Sequence, residues 1–411
     1  MIRLASLALA ALVLSAPMAF ARQVVVGIIY PLSGPLAQVG HDARAAYNVA
    51  ADIINTKHAP IPGLLMGEGG GLKALDGATI KLVFSDSQAD PAKARADAER
   101  LITQDHVVAI IGSFTSATAV TISQVTERYG IPYISADNSA PDLTQHGLKW
   151  FFRPSPTDAT FTAAMFSFMK DMGQKTGDAA KSVAIFHEDS LFGTSSAKIQ
   201  EADAKKAGLA VKTDIAYRAS TPSLAAEAQR LKAANADVFM PSSYANDAIL
   251  IIKAMHAIDY RPPVIIAQAA GFTEPSFLEA TGKLADGIFS RSSFALDAVK
   301  ERPAITPVEK LYEAANHKVL NDNTSREITA LLVLADAINR AGSTEPAKLQ
   351  AALRATNIPG NETIMPWTGI KFDASGQNVE GTPVIQEVVN GAYVTVWPFN
   401  LASHEADWDL K

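Results

Sequence analysis

Three short segments join small hydroxyl residues to the start of a helical pattern, an arrangement that can gather backbone N–H groups and hydroxyls around an anion. They are Tyr30 to Gly40, Gly112 to Thr118 and Ala136 to Pro141, and each closes an apolar run. Ser116, Asp137, Asn138 and Ser139 are their candidate ligand-binding residues. Ordinary helix capping uses the same residue types; recurrence in successive units is what favours a site. A second set of segments holds Glu188 to Gly193, Ser242 to Asp247 and Gln268 to Phe272. From it Phe192 and Tyr244 can wall a small ligand, and Gln268 completes the candidate set. Core filling is the competing role for Phe192.

Catalytic chemistry finds less support. His187, Glu188 and Asp189 are adjacent, but neighbours along a strand point to opposite faces and do not converge on one ion. Gly-x-Ser-x-Gly, His-Glu-x-x-His and Gly-x-Gly-x-x-Gly are all missing from the sequence. The expectation is therefore no catalytic residue, no metal and no cofactor. The chain has no cysteine, which removes disulfides, thiolate metal sites, a cysteine nucleophile and a lipid-modified N-terminal cysteine.

The elements that must position these residues can be read from periodicity. Charge-free runs such as Val24 to Tyr30, Ile80 to Phe84, Val107 to Ile111, Val183 to His187, Val238 to Met240 and Val264 to Ala267 read as strands covered on both faces. Segments such as His41 to Lys57 and Ala92 to Gln104 carry apolar residues at helical spacing between them. The strand-helix alternation implies parallel sheets with helices on both faces. It occurs twice, and ligands in such sheets bind beyond the carboxyl ends of the strands. In a chain of 411 residues the first series fills 22–153 and the second 154–291. A mainly helical return, 292–360, goes back to the first lobe, and 361–411 ends in the second. Residues 60–77 hold six glycines without the Lys-Ser/Thr of a phosphate loop, and read as a long flexible surface loop. Residues 1–21 have the charged, apolar and small-residue layout of a cleavable export signal. A formal charge of −6 without a basic run argues against a nucleic-acid partner.

Taken in order, Val26 to Pro35, Asp86 to Pro91, Ile110 to Gly112 with Ser116, Ser139 to Thr144, Phe152-Arg153 and Phe192-Gly193 resemble the type I periplasmic binding proteins. The likeness is greatest to the branched-chain amino acid and amide receptors of ABC importers. It implies an α/β fold of two Rossmann-like lobes joined by a three-strand hinge, closing over one small solute that passes to an inner-membrane permease. A periplasmic, monomeric protein is expected. By the same resemblance Ser116 and Ser139 stand where the solute carboxylate is held, and Tyr244 at the aromatic position of the second lobe. Phe192 replaces a common Tyr. Two departures matter. Gln268-Ala269-Ala270 carries no acidic partner for an α-ammonium, and Val39 stands where an aromatic would stack. Asp137 could substitute for the missing acid. The expected solute is a small amino-acid-like, amide or carboxylate compound, aromatic or lacking an α-amine in preference to a plain aliphatic amino acid. A sensor reporting to a membrane kinase is the alternative within the binding class, and an exported α/β enzyme the alternative outside it.

Overall fold

A computed structural model describes residues 22–410; the expected export signal lies outside them. Val24 to Tyr30 is apolar on both faces and shielded on both, so it must sit inside a sheet rather than at its surface. This strand, β1 (Gln23–Tyr30), is joined by β2 (Thr79–Asp86), β3 (Ala109–Gly112), β4 (Tyr133–Ser135) and β5 (Phe151–Phe152). All pair in parallel, in the order β2-β1-β3-β4-β5. Helix α1 (Ala37–Asn55) covers one face with Ala46, Tyr47, Ala50 and Ile54, and α2 (Pro91–Thr103) and α3 (Ser116–Tyr129) cover the other.

The second sheet repeats this plan. Strands β6 (Ser182–Glu188), β7 (Ala210–Tyr217), β8 (Val238–Ser242), β9 (Val264–Ala267) and β10 (Phe289–Ser292) lie in the order β7-β6-β8-β9-β10. Helices α4 (Asp158–Thr176) and α5 (Leu191–Lys206) pack on one face, and α6 (Ala225–Ala234), α7 (Ala245–His256) and α8 (Pro275–Thr281) on the other. The shared order places a topological switch between β1 and β3 in one lobe and between β6 and β8 in the other. Strand-end loops diverge at these points and leave a crevice.

The chain then returns to the first lobe as α9 (Ile305–Asn316), α10 (Asp322–Ala341) and α11 (Pro346–Arg354), followed by the short pair β11 (Asn357–Pro359) and β12 (Gly369–Lys371). Helix α10 packs on α1 and is buried along most of its length, polar residues included. Ile364, Met365, Trp367, Ile370 and Phe372 belong to the same core. Packing therefore keeps the chain in the first lobe to about Phe372, later than the boundary at 361 read from sequence. Beyond it β13 (Val384–Val389) and β14 (Ala392–Trp397) extend the second sheet as an antiparallel hairpin. The apolar stretch from Val384 to Trp397 doubles back as two strands because Asn390 and Gly391 both take positive φ, 51° and 76°, the hairpin turn geometry.

The lobes are joined after Phe152, Ser292 and Phe372. Arg153, fully buried, ties the first of these links to the third. Its Nε donates to Gln377 Oε1 at 2.6 Å, and its Nη1 donates to the carbonyls of Asn138 and Ala140. The glycine-rich segment 60–77 differs from its expectation as a flexible loop. Gly70 and Gly71 donate to the carbonyls of Thr56 and Ile54, Leu65 donates to Glu362, and Leu72 is fully buried. Its leucines, rather than its glycines, decide that outcome by giving it a core to join.

Candidate functional site

Helix α3 begins at the end of β3, where the Thr115 side chain caps it by accepting from Thr118 N–H. Ser116 is thereby the first helical residue, with its hydroxyl and backbone N–H at the positive end of a 14-residue helix. The loop after β4 brings Asp137 and Ser139 beside it, and Phe114 enters from the turn before α3. From the second lobe, Phe192 lies in the first turn of α5 and Tyr244 immediately precedes α7. Tyr244 is positioned by Gly271, where a Cβ would lie 2.4 Å from Ala245 N, so the loop after β9 can press against the start of α7 only without a side chain. Ala269 and Ala270 in that loop hold φ of 51° and 47°, a region that costs a non-glycine residue about 1–3 kcal/mol.

These residues converge on one cavity of about 20 Å³ between the lobes, little more than the space of one water. Tyr244 meets Phe114 across the cleft with ring centroids 5.2 Å apart, and Phe192 within its own lobe at 5.4 Å. Asn246 Nδ2 donates to Pro35 O, also from lobe to lobe, at 3.2 Å. The arrangement is therefore closed, and a solute of even six heavy atoms requires the lobes to part. A larger groove of about 780 Å³ lies along α4 and α5, but none of the strand-end loops reaches it.

The hinge side of the cavity is charged. Arg291 from β10 and Asn323 and Arg326 from the first turns of α10 line it together with Asp137. Asp322 accepts from Arg291 Nη1 at 3.1 Å and Arg326 Nη2 at 2.9 Å. Burial opposes its ionisation, yet the two guanidinium charges hold its carboxyl below the ordinary range. Arg326 also donates to Asp137 O at 3.1 Å, and its Nε lies 3.6 Å from Asp137 Oδ1. Tyr30 OH donates to Asp137 Oδ2 at 2.5 Å. Burial drives the Asp137 carboxyl upward, with Arg326 opposing, and drives that of Glu327 behind it further upward. Burial lowers Arg291 to about 10, which leaves it cationic at neutral pH.

Of the seven candidates, Ser116, Asp137, Ser139, Phe192 and Tyr244 line the cavity. Asn138 and Gln268 do not. Asn138 Oδ1 turns inward to accept from Ser113 N–H, Tyr133 OH and Ser135 Oγ, fixing the shape of the loop. Gln268 donates to Asp158 Oδ1 at 3.2 Å. Val39 is buried in the first lobe's core. Phe114, Ala270, Arg291, Asn323 and Arg326 were not singled out in the sequence. The available signal was the polar run Asp322 to Glu327 at the head of an otherwise apolar helix, and an arginine within a buried strand.

Among known proteins, this chain is 30% identical over 383 residues to a Leu/Ile/Val-binding protein homolog of Brucella abortus, covering 92% of this chain and 91% of that one. Two solved structures share its fold at lower identity. A leucine binding protein from Thermotoga maritima has a TM-score of 0.77 at 22% identity, over 90% of this chain and 97% of that one. An ABC transporter solute binding protein from R. palustris, in complex with 4-hydroxybenzoate, has 0.75 at 18%, over 91% and 95%. The paired α/β lobes and hinge of those structures are the architecture described above. With residues 23–392 matching as a unit, the chain belongs to the periplasmic binding protein family.

Proposed function

We propose that this protein is the substrate-binding component of an ABC importer, capturing a small carboxylate solute that lacks an α-ammonium and delivering it to a permease. The observation that carries the reading is the charge arrangement of the cavity. Two arginines line it, while its one lining carboxylate, Asp137, is already engaged by Arg326 and Tyr30. Gln268 adds no charge and faces Asp158. An ammonium brought here would meet two cations and no free anion, at a cost of several kcal/mol in a closed cleft. A carboxylate is served by the Ser116 and Ser139 hydroxyls and the start of α3.

Closure follows from contacts made to both lobes at once, since a ligand shifts an open-closed equilibrium only by its differential affinity. Ser116 and Ser139 supply one lobe's share, Phe192 and Tyr244 the other's. The R. palustris relative with 4-hydroxybenzoate supports an aromatic carboxylate, whereas the leucine-named relatives speak for an amino acid. The signal-like pattern of residues 1–21 supports a periplasmic location for a protein we take to act as a monomer.

The test is a thermal-shift screen of refolded protein against amino acids, amides, and aromatic and aliphatic carboxylates. A solute at 100 times its Kd adds about 2.7 kcal/mol of stability. Hits among carboxylates without an α-amine are expected; hits confined to leucine, isoleucine or valine overturn the reading.

A further inference from the structure

The hinge side of the cavity contains more donor capacity than one carboxylate at Ser116 and Ser139 would use. Every nitrogen of Arg326 already donates within the protein. Its Nε donates to Asp322 O, Nη1 to Asp137 O, and Nη2 to Asp322 Oδ2 and Asn323 Oδ1. Asn323 is spent likewise, its amide donating to Glu274. Arg291 is different. Nη1 is held by Asp322 and the guanidinium lies 3.5 Å from the centroid of the Phe161 ring, so the group is fixed in orientation. Its Nε–H has no acceptor, although the residue is only 2% exposed and lines the cavity. A shielded guanidinium N–H without a partner leaves a donor unsatisfied at appreciable cost, unless the group that enters the cavity accepts from it.

We propose that Arg291 is a second anchor, and that the solute is a carboxylate carrying a second acceptor, a further carboxylate above all, directed at the hinge. This rests on the carboxylate reading above and extends it from one anionic group to two. The first group sits at Ser116, Ser139 and the start of α3; the second accepts from the Arg291 guanidinium. Arg291 belongs to β10 of the second lobe and its partner Asp322 to α10 of the first, so an acceptor bound there touches the joint about which the lobes turn.

The experiment compares matched acids that differ only in the second acceptor: butanoate with succinate, pentanoate with glutarate, and benzoate with isophthalate and terephthalate. Calorimetric Kd values are measured for the unmodified protein, Arg291→Lys and Arg291→Gln. In the unmodified protein the diacid of at least one pair binds 10-fold or more tighter than its monoacid. That ratio falls to near one in both variants. Because it is a ratio within one variant, a general loss of stability does not produce the collapse. Equal binding of monoacid and diacid in every pair overturns the second anchor alone, as does a ratio that survives both substitutions. Failure of every acid to bind overturns the carboxylate reading and this inference with it.

Discussion

Tyr244→Ala tests whether closure depends on the aromatic contact between the lobes. Tyr244 touches Phe192 in its own lobe and Phe114 in the other, and only the second contact is lost when the cleft opens. A ring pair at such a distance contributes about 0.5–1.5 kcal/mol beyond area burial. Its removal shifts the open-closed ratio by roughly 2- to 13-fold. A solute lying against the same ring loses a similar amount directly, so affinity falls by about 1–3 kcal/mol, or roughly 5- to 150-fold in Kd. The fold is expected to survive, because the Tyr244 side chain makes no capping hydrogen bond to α7. The assay is titration calorimetry with the tightest carboxylate from the screen, on the unmodified protein, Tyr244→Ala, Phe114→Ala and the double variant, with small-angle scattering of each without solute. The double-mutant cycle should return a coupling of about 0.5–1.5 kcal/mol and the variants should scatter as more open particles. A Kd within twofold of the unmodified protein, or additive effects of the two substitutions, would refute the argument.

Arg326→Met leaves Asp322 and Asp137 buried with reduced compensation, and urea unfolding should show a loss of about 3–5 kcal/mol; less than 1 would mean the cluster reorganises without it. Asn138→Ala removes an acceptor used by Ser113, Tyr133 and Ser135, costing about 2–4 kcal/mol of stability, while solute affinity stays within twofold. Loss of affinity without loss of stability would return Asn138 to the binding set. Burial, with the Asp42 and Asp322 charges adding to it, raises the Glu274 carboxyl to about 8 from an ordinary value near 4.5. Between those values the folded protein holds a proton that the unfolded chain releases. This contribution is complete below about pH 4.5 and is lost as pH rises through 8, at about 1.4 kcal/mol per pH unit. Glu274→Gln should flatten stability against pH by that slope between pH 5.5 and 7.5, whereas parallel profiles would place the titration elsewhere.

Much of the first lobe's share of the cavity lining could be read along the chain. Ser116, Asp137 and Ser139 follow apolar strands and precede helices, and local periodicity is enough to show both. Phe192 and Tyr244 were legible as the large residues in the matching loops of the second series. Asn138 and Gln268 sit in the same loops yet turn away. Which way a polar side chain points depends on the partners offered, here Ser113 and Tyr133 for one and Asp158 for the other, and local spacing carries no record of those. The glycine-rich segment misled for a related reason: composition reports backbone freedom, while Leu72 and its neighbours find a core supplied by α1 and the segment near Glu362.

The two α/β series, their covered parallel strands and the loops beyond those strands follow from local pattern, because apolar periodicity and helix starts are properties of neighbouring residues. Tertiary structure alone decided the charge of the cavity. Asp137 and Arg326 are 189 positions apart, and Arg291 meets Asp322 only because the chain returns across the hinge to lay α10 against the first lobe. Once water is excluded from that junction, the interaction between such groups grows several-fold. The charge that lines the cavity is therefore set by residues that no local pattern brings together.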